Sequence, residues 1–257
     1  MHRTKTLLVL GSSNVTFQSD GSSTTALLAK ELDAIEPHAW VIRGVDLAPG
    51  RKMADEAVAS IDAHRPDVAL LSLNAQPSVY ESVLIKVRRR WPRLLAAASA
   101  VEAWLRPRGG ASASVRGRFL GWSYRAAQNA ALATIGGETA LAVEHNIENV
   151  SACLQRLAGR EDTPLLVRLP VGGAPTSRAR AARYDARLRR LKAGITEACG
   201  RHRIPYVDIA ERLGEAGAKV LYGADNAHLA FETRRLEARE LAARLTSLVE
   251  RNAPFGG

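Results

Sequence analysis

The stretch Thr6-Leu7-Leu8-Val9-Leu10-Gly11-Ser12-Ser13-Asn14 joins a short apolar run to a turn of small polar residues. An apolar run of this length predicts a β-strand buried on both faces, and the glycine and serines predict its end. Residues 23–35 follow, with leucines and an isoleucine at helical spacing. The first unit of the chain is therefore predicted to be a strand, a polar turn and a helix.

Four more apolar runs of this kind occur along the chain, at residues 38–44, 68–73, 164–170 and 204–209. Amphipathic stretches separate them, and near the carboxyl end leucines repeat at helical spacing in Leu236, Leu241, Leu245 and Leu248. Strands that alternate with helices predict a parallel sheet covered by helices on both faces. The sequence thus indicates an α/β protein with three layers and a five-stranded parallel sheet.

One connection is much longer than the others, because about ninety residues separate Leu73 from Pro164. An ordinary crossover needs about a dozen residues or more, including its helix. If residues 150–157 belong to that helix, residues 82–142 form a mostly helical insertion within a single domain, 1–257. The insertion contains three of the four tryptophans, and both a cap over a site and a dimerisation arm fit this composition.

Composition places the chain among ordinary globular proteins. It has 257 residues, of which 46% are hydrophobic and 24% charged, which excludes a disordered chain. Two cysteines, Cys153 and Cys199, exclude a disulfide scaffold, and neither stands in a metal-ligand spacing. No apolar run approaches the roughly 20 residues that span a bilayer, and the run at 6–11 is too short for a signal peptide. A cytoplasmic protein that does not contact a membrane is expected.

Basic residues are in clear excess, with 36 Lys and Arg against 26 Asp and Glu and a net charge of +10. They are concentrated in residues 86–118 and 178–203. Such stretches are compatible with a solvated helix face, and also with attraction of anionic substrates, acidic proteins or nucleic acid. Because no nucleic-acid-binding motif accompanies the charge, nucleic acid is not expected as a partner.

Small polar residues follow the predicted strands at four points. They are Gly11-Ser12-Ser13-Asn14 after the first strand, Gly44 after the second, Asn74 after the third, and Asp225-Asn226-Ala227-His228 before the last helix. Ligands of open parallel sheets bind at the carboxyl ends of the strands. A serine at such a turn can act as a nucleophile, and a histidine oriented by a carboxylate can take its proton. Backbone N–H groups and an asparagine amide can stabilise the resulting oxyanion.

The order of these four blocks resembles the SGNH, or GDSL-type, hydrolase superfamily of esterases and lipases. The resemblance covers nearly all of the chain except the insertion, and it implies a flavodoxin-like fold. It implies a catalytic triad of Ser13, Asp225 and His228, and an oxyanion hole formed by Ser13, Gly44 and Asn74. No metal and no organic cofactor is implied.

Two positions depart from the usual pattern of this family. Ser12 stands where the family usually has aspartate, and the third block is Ser72-Leu73-Asn74-Ala75 where the family usually has Gly-x-Asn-Asp. Neither departure removes an atom that the chemistry needs. Because both lie beside predicted oxyanion donors, a specialised activity is expected rather than a general esterase.

The resemblance implies a serine hydrolase that cleaves a small-molecule carboxylic ester or thioester through an acyl-enzyme. An acyltransferase with the same triad is an alternative, since the basic insertion suits a CoA-type donor or an acidic carrier protein. A second alternative, from another class, is a non-catalytic binding module that uses the basic surface.

Overall fold

Within the residues that the structure describes, five parallel strands form one sheet, in the spatial order Trp40–Asp46, Lys5–Gly11, Val68–Ser72, Leu165–Arg168 and Tyr206–Val207. The computed structural model describes residues 4–11, 23–105, 126–127, 129–160, 162–173, 178–217, 220, 222 and 229–252. The strands are β1 (Lys5–Gly11), β2 (Trp40–Asp46), β3 (Val68–Ser72), β4 (Leu165–Arg168) and β5 (Tyr206–Val207). The predicted α/β class, with a five-stranded parallel sheet, is confirmed.

Helices connect the strands. They are α1 (Thr24–Ile35), α2 (Met53–His64), α3 (Gln76–Val79), α4 (Val83–Arg90), α5 (Leu95–Leu105), α6 (Val143–Ala158), α7 (Arg178–Arg201), α8 (Ile209–Glu215) and α9 (Phe231–Asn252). A short 3₁₀ turn, Pro92–Leu94, joins α4 to α5. The helix α1 begins where Ser23 accepts a hydrogen bond from the Ala26 N–H, which caps its first turn.

Both faces of the sheet are buried by helices. Leu7 and Val9 of β1 point to one face, in a cluster with apolar residues of α1, α8 and α9. Leu8 and Leu10 alternate to the other face and are fully buried. On that side α6 packs between α2 and α7. A continuous run such as Leu7-Leu8-Val9-Leu10 is thus the consequence of burial on both faces.

The carboxyl ends of the five strands lie level with one another. Gly11 is opposite Asp46 on one side and Ser72 on the other. Ser72 is in turn opposite Arg168, and Arg168 is opposite Val207. Residues that follow these five positions therefore start from one edge of the sheet.

The predicted bounds of the second strand were wrong by two residues at each end. Residues 38 and 39 belong to a turn, in which His38 has a φ of 59° and its N–H donates to Asp33. The indole N–H of Trp40 donates to Glu36, which also binds Lys5. These contacts fix the start of β2 at Trp40 and carry the strand past Gly44 to Asp46.

The chain divides into two compact units, one formed by Met1–Gln76 with Val143–Gly257, and the other by Pro77–Ala142. In the second unit Ser82 and Glu138 pair in an antiparallel bridge, and Arg89 and Arg90 bind the Glu138 carboxylate. Trp91 remains 46% exposed. The role of the predicted insertion, residues 82–142, as a cap or a dimerisation arm stays a prediction. In the described parts of the chain, no helix is both long and apolar enough to cross a membrane.

Candidate active site

The crevice expected from the topology lies between β1 and β3. From β1 the chain passes to β2 on one side, and then returns to place β3 on the other side. This reversal of strand order is where open α/β sheets bind ligands, outside the carboxyl ends. Asn74 comes two residues after Ser72, the last residue of β3. Ser13 comes two residues after Gly11, but it lies outside the described residues.

Asn74 is held in a defined turn at this edge. Its Oδ1 accepts a hydrogen bond of 2.9 Å from the Gln76 N–H, which makes an Asx-type turn. Its neighbours Leu73 and Ala75 are buried, and the Leu73 N–H donates to the Arg168 carbonyl at 3.1 Å. Because the backbone N–H requires an acceptor, the oxygen faces the turn and Nδ2 is the donor of the side chain.

The sequence pattern predicted that Gly44 follows the second strand. In the structure Gly44 lies inside β2, opposite Val9. The N–H of Lys5 donates to the Ala39 carbonyl, and the N–H of Leu47 donates to the Gly11 carbonyl. Every second residue of a parallel strand faces a given neighbour, so these bonds assign the odd-numbered residues of β2 to β1. The Gly44 N–H is therefore directed toward the outer edge of the sheet, and the structure does not bring it to the end of β1.

Asp225 and His228 also lie outside the described residues, but the chain on either side of them is defined. Tyr222 and Leu229 form an antiparallel bridge, and Leu229 is buried. Burial raises the pKa of the Tyr222 phenol above its ordinary value, whereas Arg168 and a hydrogen bond from the Gly172 backbone act to lower it. Tyr222 thus stands close to the carboxyl end of β4.

A buried ion pair that sequence reasoning missed lies beside the Asn74 turn. Arg168 donates from Nε to Glu237 Oε1 at 2.7 Å, and its Nη2 is 2.6 Å from the same oxygen. The Glu237 side chain is 0% exposed and that of Arg168 is 12% exposed. A signal was present, because Arg168 ends an apolar strand and Glu237 precedes Leu241 by one helical turn on the apolar face of α9.

A second ion pair lies at the end of β5. Asp208 caps α8 by accepting hydrogen bonds from the N–H groups of Ala210 and Glu211. Its carboxylate also binds Lys192 Nζ of α7, at 2.8 Å and 2.7 Å to the two oxygens. This contact joins α7 to the start of α8 at the same edge of the sheet.

Comparison with protein-family models and with curated proteins gave no match. Several solved structures have a similar fold. A putative GDSL-like lipase from Parabacteroides merdae aligns with 96% of this chain and 98% of its own, with a TM-score of 0.57 and 12% identity. LAE5, an α/β hydrolase from the metagenome of Lake Arreo, aligns with 96% and 98%, with a TM-score of 0.56 and 14% identity.

An acetylxylan esterase, Axe2 from Geobacillus stearothermophilus, is also similar. It aligns with 95% of this chain and 96% of its own, with a TM-score of 0.55 and 10% identity. The predicted resemblance to the SGNH or GDSL-type hydrolases is thereby confirmed at the level of the fold. The chain and these solved structures share a three-layer α/β architecture.

Proposed function

We propose that the protein is a serine hydrolase that cleaves a carboxylic ester or thioester of a small molecule. The observation that carries the proposal is the Asn74 turn, which stands at the switch point of a GDSL-type hydrolase fold, next to the end of β1. An asparagine amide held in this place can donate to an oxyanion formed by a nucleophile that follows β1.

In the proposed mechanism His228, oriented by Asp225, takes the proton of the Ser13 hydroxyl as Oγ attacks the carbonyl carbon. The oxyanion accepts hydrogen bonds from the Ser13 N–H and the Asn74 amide. The alcohol or thiol leaves with the proton held by His228, and an acyl-enzyme remains. Water, deprotonated by His228, then releases the acid and restores Ser13.

Chain length supports the placement of Ser13. Two residues span at most about 7 Å of chain, which keeps Ser13 near Gly11. Gly11 is opposite Ser72, and neighbouring strands lie about 4.8 Å apart. Ser13 and Asn74 each follow these two positions by two residues, which supports the proposal that their side chains share one crevice.

Gly44 is the third oxyanion donor that the resemblance implies, and it is the one that the register of β2 does not support. Its N–H is directed away from β1. The proposal therefore rests on two donors, Ser13 and Asn74, each of which contributes on the order of 3 kcal/mol to the lowering of the barrier in comparable enzymes.

The test is hydrolysis of p-nitrophenyl acetate, with labelling by a fluorophosphonate probe followed by mass spectrometry. Wild type is expected to turn over the ester and to carry the probe on Ser13. Ser13→Ala is expected to lose both, whereas Ser12→Ala, one residue away, retains both. Full activity of Ser13→Ala in a folded protein would contradict the proposal.

The acyltransferase remains the second candidate, because the unit Pro77–Ala142 carries exposed basic side chains. Arg89 and Arg90 bind Glu138, and Arg88 and Arg93 add further exposed positive charge. Such a surface suits a CoA-type donor or an acidic carrier protein. Addition of alcohols or amines to the hydrolysis assay distinguishes the two functions, since a transferase directs the acyl group to the added nucleophile rather than to water.

We further propose that the protein acts in the cytoplasm. The apolar run near the amino terminus forms β1, which pairs with both β2 and β3 at the centre of the sheet. Its residues Leu7 to Leu10 are fully buried, so cleavage after this run would remove part of the core. The run at residues 6–11 therefore has a structural role as an interior strand of the sheet.

A further inference from the structure

The ion pair between Arg168 and Glu237 connects the end of β4 to α9, and Arg168 also contacts the turn that contains Asn74. Arg168 is the last residue of β4, and Glu237 lies in the second turn of α9, the helix that follows His228. Arg168 Nη1 also donates to the Leu73 carbonyl at 3.4 Å, one residue before Asn74. In return the Leu73 N–H donates to the Arg168 carbonyl.

Stability alone does not account for this pair. Removal of two charges from water is costly, and apolar residues of similar volume often stabilise a protein as well or better. Within the described residues, Glu237 Oε2 has no hydrogen-bond partner, although the side chain is fully buried. A buried acceptor without a partner lowers the benefit of the pair further.

The pair restricts the relative positions of the groups that it joins more than a stabilising contact alone would need to. Two guanidinium nitrogens of Arg168 converge on one carboxylate oxygen, and the third is directed at the Leu73 carbonyl. A guanidinium is planar and rigid, so it fixes the positions of its partners relative to each other. The turn that presents Asn74 and the helix that follows His228 are thus held by one side chain.

We propose that Arg168 and Glu237 are positioning residues of the esterase site, which keep the Asn74 amide and the helix after His228 in register for catalysis. This inference rests on the proposed function. A displacement of about 1 Å at a reacting group can lower a rate 100-fold, although the fold is preserved. The pair therefore affects kcat more than it affects stability.

The decisive variant is the double substitution Arg168→Met with Glu237→Leu. It removes both charges, so that no unpaired charge remains buried. We expect kcat for p-nitrophenyl acetate to fall between about 10-fold and 100-fold, with KM within about 3-fold of wild type. We expect the Tm to stay within about 4 °C. A double variant that folds and keeps the kcat of wild type would overturn the proposal.

The control is the double substitution Lys5→Met with Glu36→Leu. This partly buried pair has the same 2.7 Å contact but lies at the amino-terminal edge of the sheet, next to the start of β1. Its loss is expected to leave kcat unchanged. An equal loss of kcat in both double variants would show a general effect of ion pairs and would also overturn the proposal.

Arg168→Lys serves as a second variant in case the double variant does not fold. A lysine keeps a positive charge beside Glu237, but its single nitrogen does not reproduce the fork that reaches the Leu73 carbonyl. A fall in kcat of about 10-fold or more at an unchanged Tm supports positioning. An unchanged kcat contradicts it.

A measurement that needs no activity separates this inference from the proposed function. The Gln76 N–H donates to Asn74 Oδ1, so its hydrogen exchange reports on the turn directly. Exchange of this amide is expected to become at least about 10-fold faster in Arg168→Lys and in the double variant, but not in the control. If wild type neither cleaves esters nor labels at Ser13, the proposed function fails, and this exchange alone decides whether the pair holds the turn.

Discussion

Asn74 uses the two atoms of its amide in different ways. Its Oδ1 closes the turn with the Gln76 N–H, while Nδ2 is the donor that the proposed mechanism needs. Aspartate in this position would keep the acceptor and lose the donor. The structural contribution of this side chain and its proposed catalytic contribution can therefore be separated by experiment.

Asn74→Asp is expected to lower kcat for p-nitrophenyl acetate by on the order of 100-fold or more, because the donor is lost and a negative charge faces the developing oxyanion. Its free energy of unfolding should stay within about 1 kcal/mol of wild type, since the turn keeps its acceptor. Asn74→Ala should lose both activity and part of the stability. Urea unfolding and steady-state kinetics on the same samples test this, and an active Asn74→Asp would contradict it.

The two cysteines give a prediction about the reactivity of their thiols in the folded protein. Burial raises the pKa of the Cys153 thiol to about 12 and that of the Cys199 thiol to about 11. Both thiols should therefore resist iodoacetamide at pH 8 in the folded protein and react in guanidinium chloride. Rapid labelling of the folded protein at that pH, followed by mass spectrometry, would contradict the burial of both side chains.

The same shifts set the sign of the effect on stability. The unfolded thiols have a pKa near 9.0 and the folded ones have higher values. Their contribution to stability is thus complete below about pH 9 and is lost as the pH rises toward 11 and 12. Urea unfolding of wild type and Cys153→Ala at pH 8 and pH 10 should show a smaller pH effect in the variant.

Residues differ in how far the sequence predicts their roles. Asn74 could be predicted as a candidate oxyanion donor, because it closely follows a buried apolar strand in the sequence, and this role stays a prediction. Arg168 and Glu237 could not be paired, because they are 69 positions apart and only the packing of α9 against the end of β4 brings them together. Local patterns indicate which residue is unusual, but a contact distant in sequence requires the fold.

At the scale of elements, short apolar runs predicted all five strands that the structure describes, and the bounds of the strands were predicted less accurately. The bounds of β2 were predicted from an apolar run that includes Val41 and Ile42. The observed start of the strand is instead fixed by a hydrogen bond to Glu36 and by the turn at His38. The pattern of apolar residues does not show a polar contact between the end of α1 and the next strand. This displacement moved Gly44 from inside a strand to the expected loop.

Asp208 provides a prediction at the scale of an element, because it caps α8 and binds Lys192. Asp208→Ala removes both contacts and is expected to lower the free energy of unfolding by about 1 to 3 kcal/mol. Asp208→Asn keeps an oxygen for the cap and loses only the charge, so its loss should be about half as large. Equal stability of Asp208→Ala and wild type in urea unfolding would contradict this assignment.

At the scale of the whole molecule, the fold persists where the sequence does not. The GDSL-like lipase and LAE5 share only 12% and 14% identity with this chain, yet each aligns over 96% of it. What the sequences need to share is the alternation of buried strands and amphipathic helices, and many residue choices satisfy that alternation. The alternation was therefore sufficient to predict the architecture, but it carries no information on the substrate.

Net charge is a property of the whole molecule, and it predicts how the rate of the proposed ester hydrolysis depends on salt. With a charge of +10, the protein should attract anionic substrates over distances comparable to the Debye length, roughly 30 Å at 0.01 M salt and 8 Å at 0.15 M.

A matched pair of esters tests this attraction, p-nitrophenyl acetate and the anionic mono-p-nitrophenyl ester of glutaric acid. Between these salt concentrations kcat/KM should fall about 3-fold to 10-fold for the anionic ester. The value for the neutral ester should be nearly constant, since its approach is not steered by charge. Parallel salt dependence of the two esters would show that the excess of arginine acts elsewhere than on the approach of substrate.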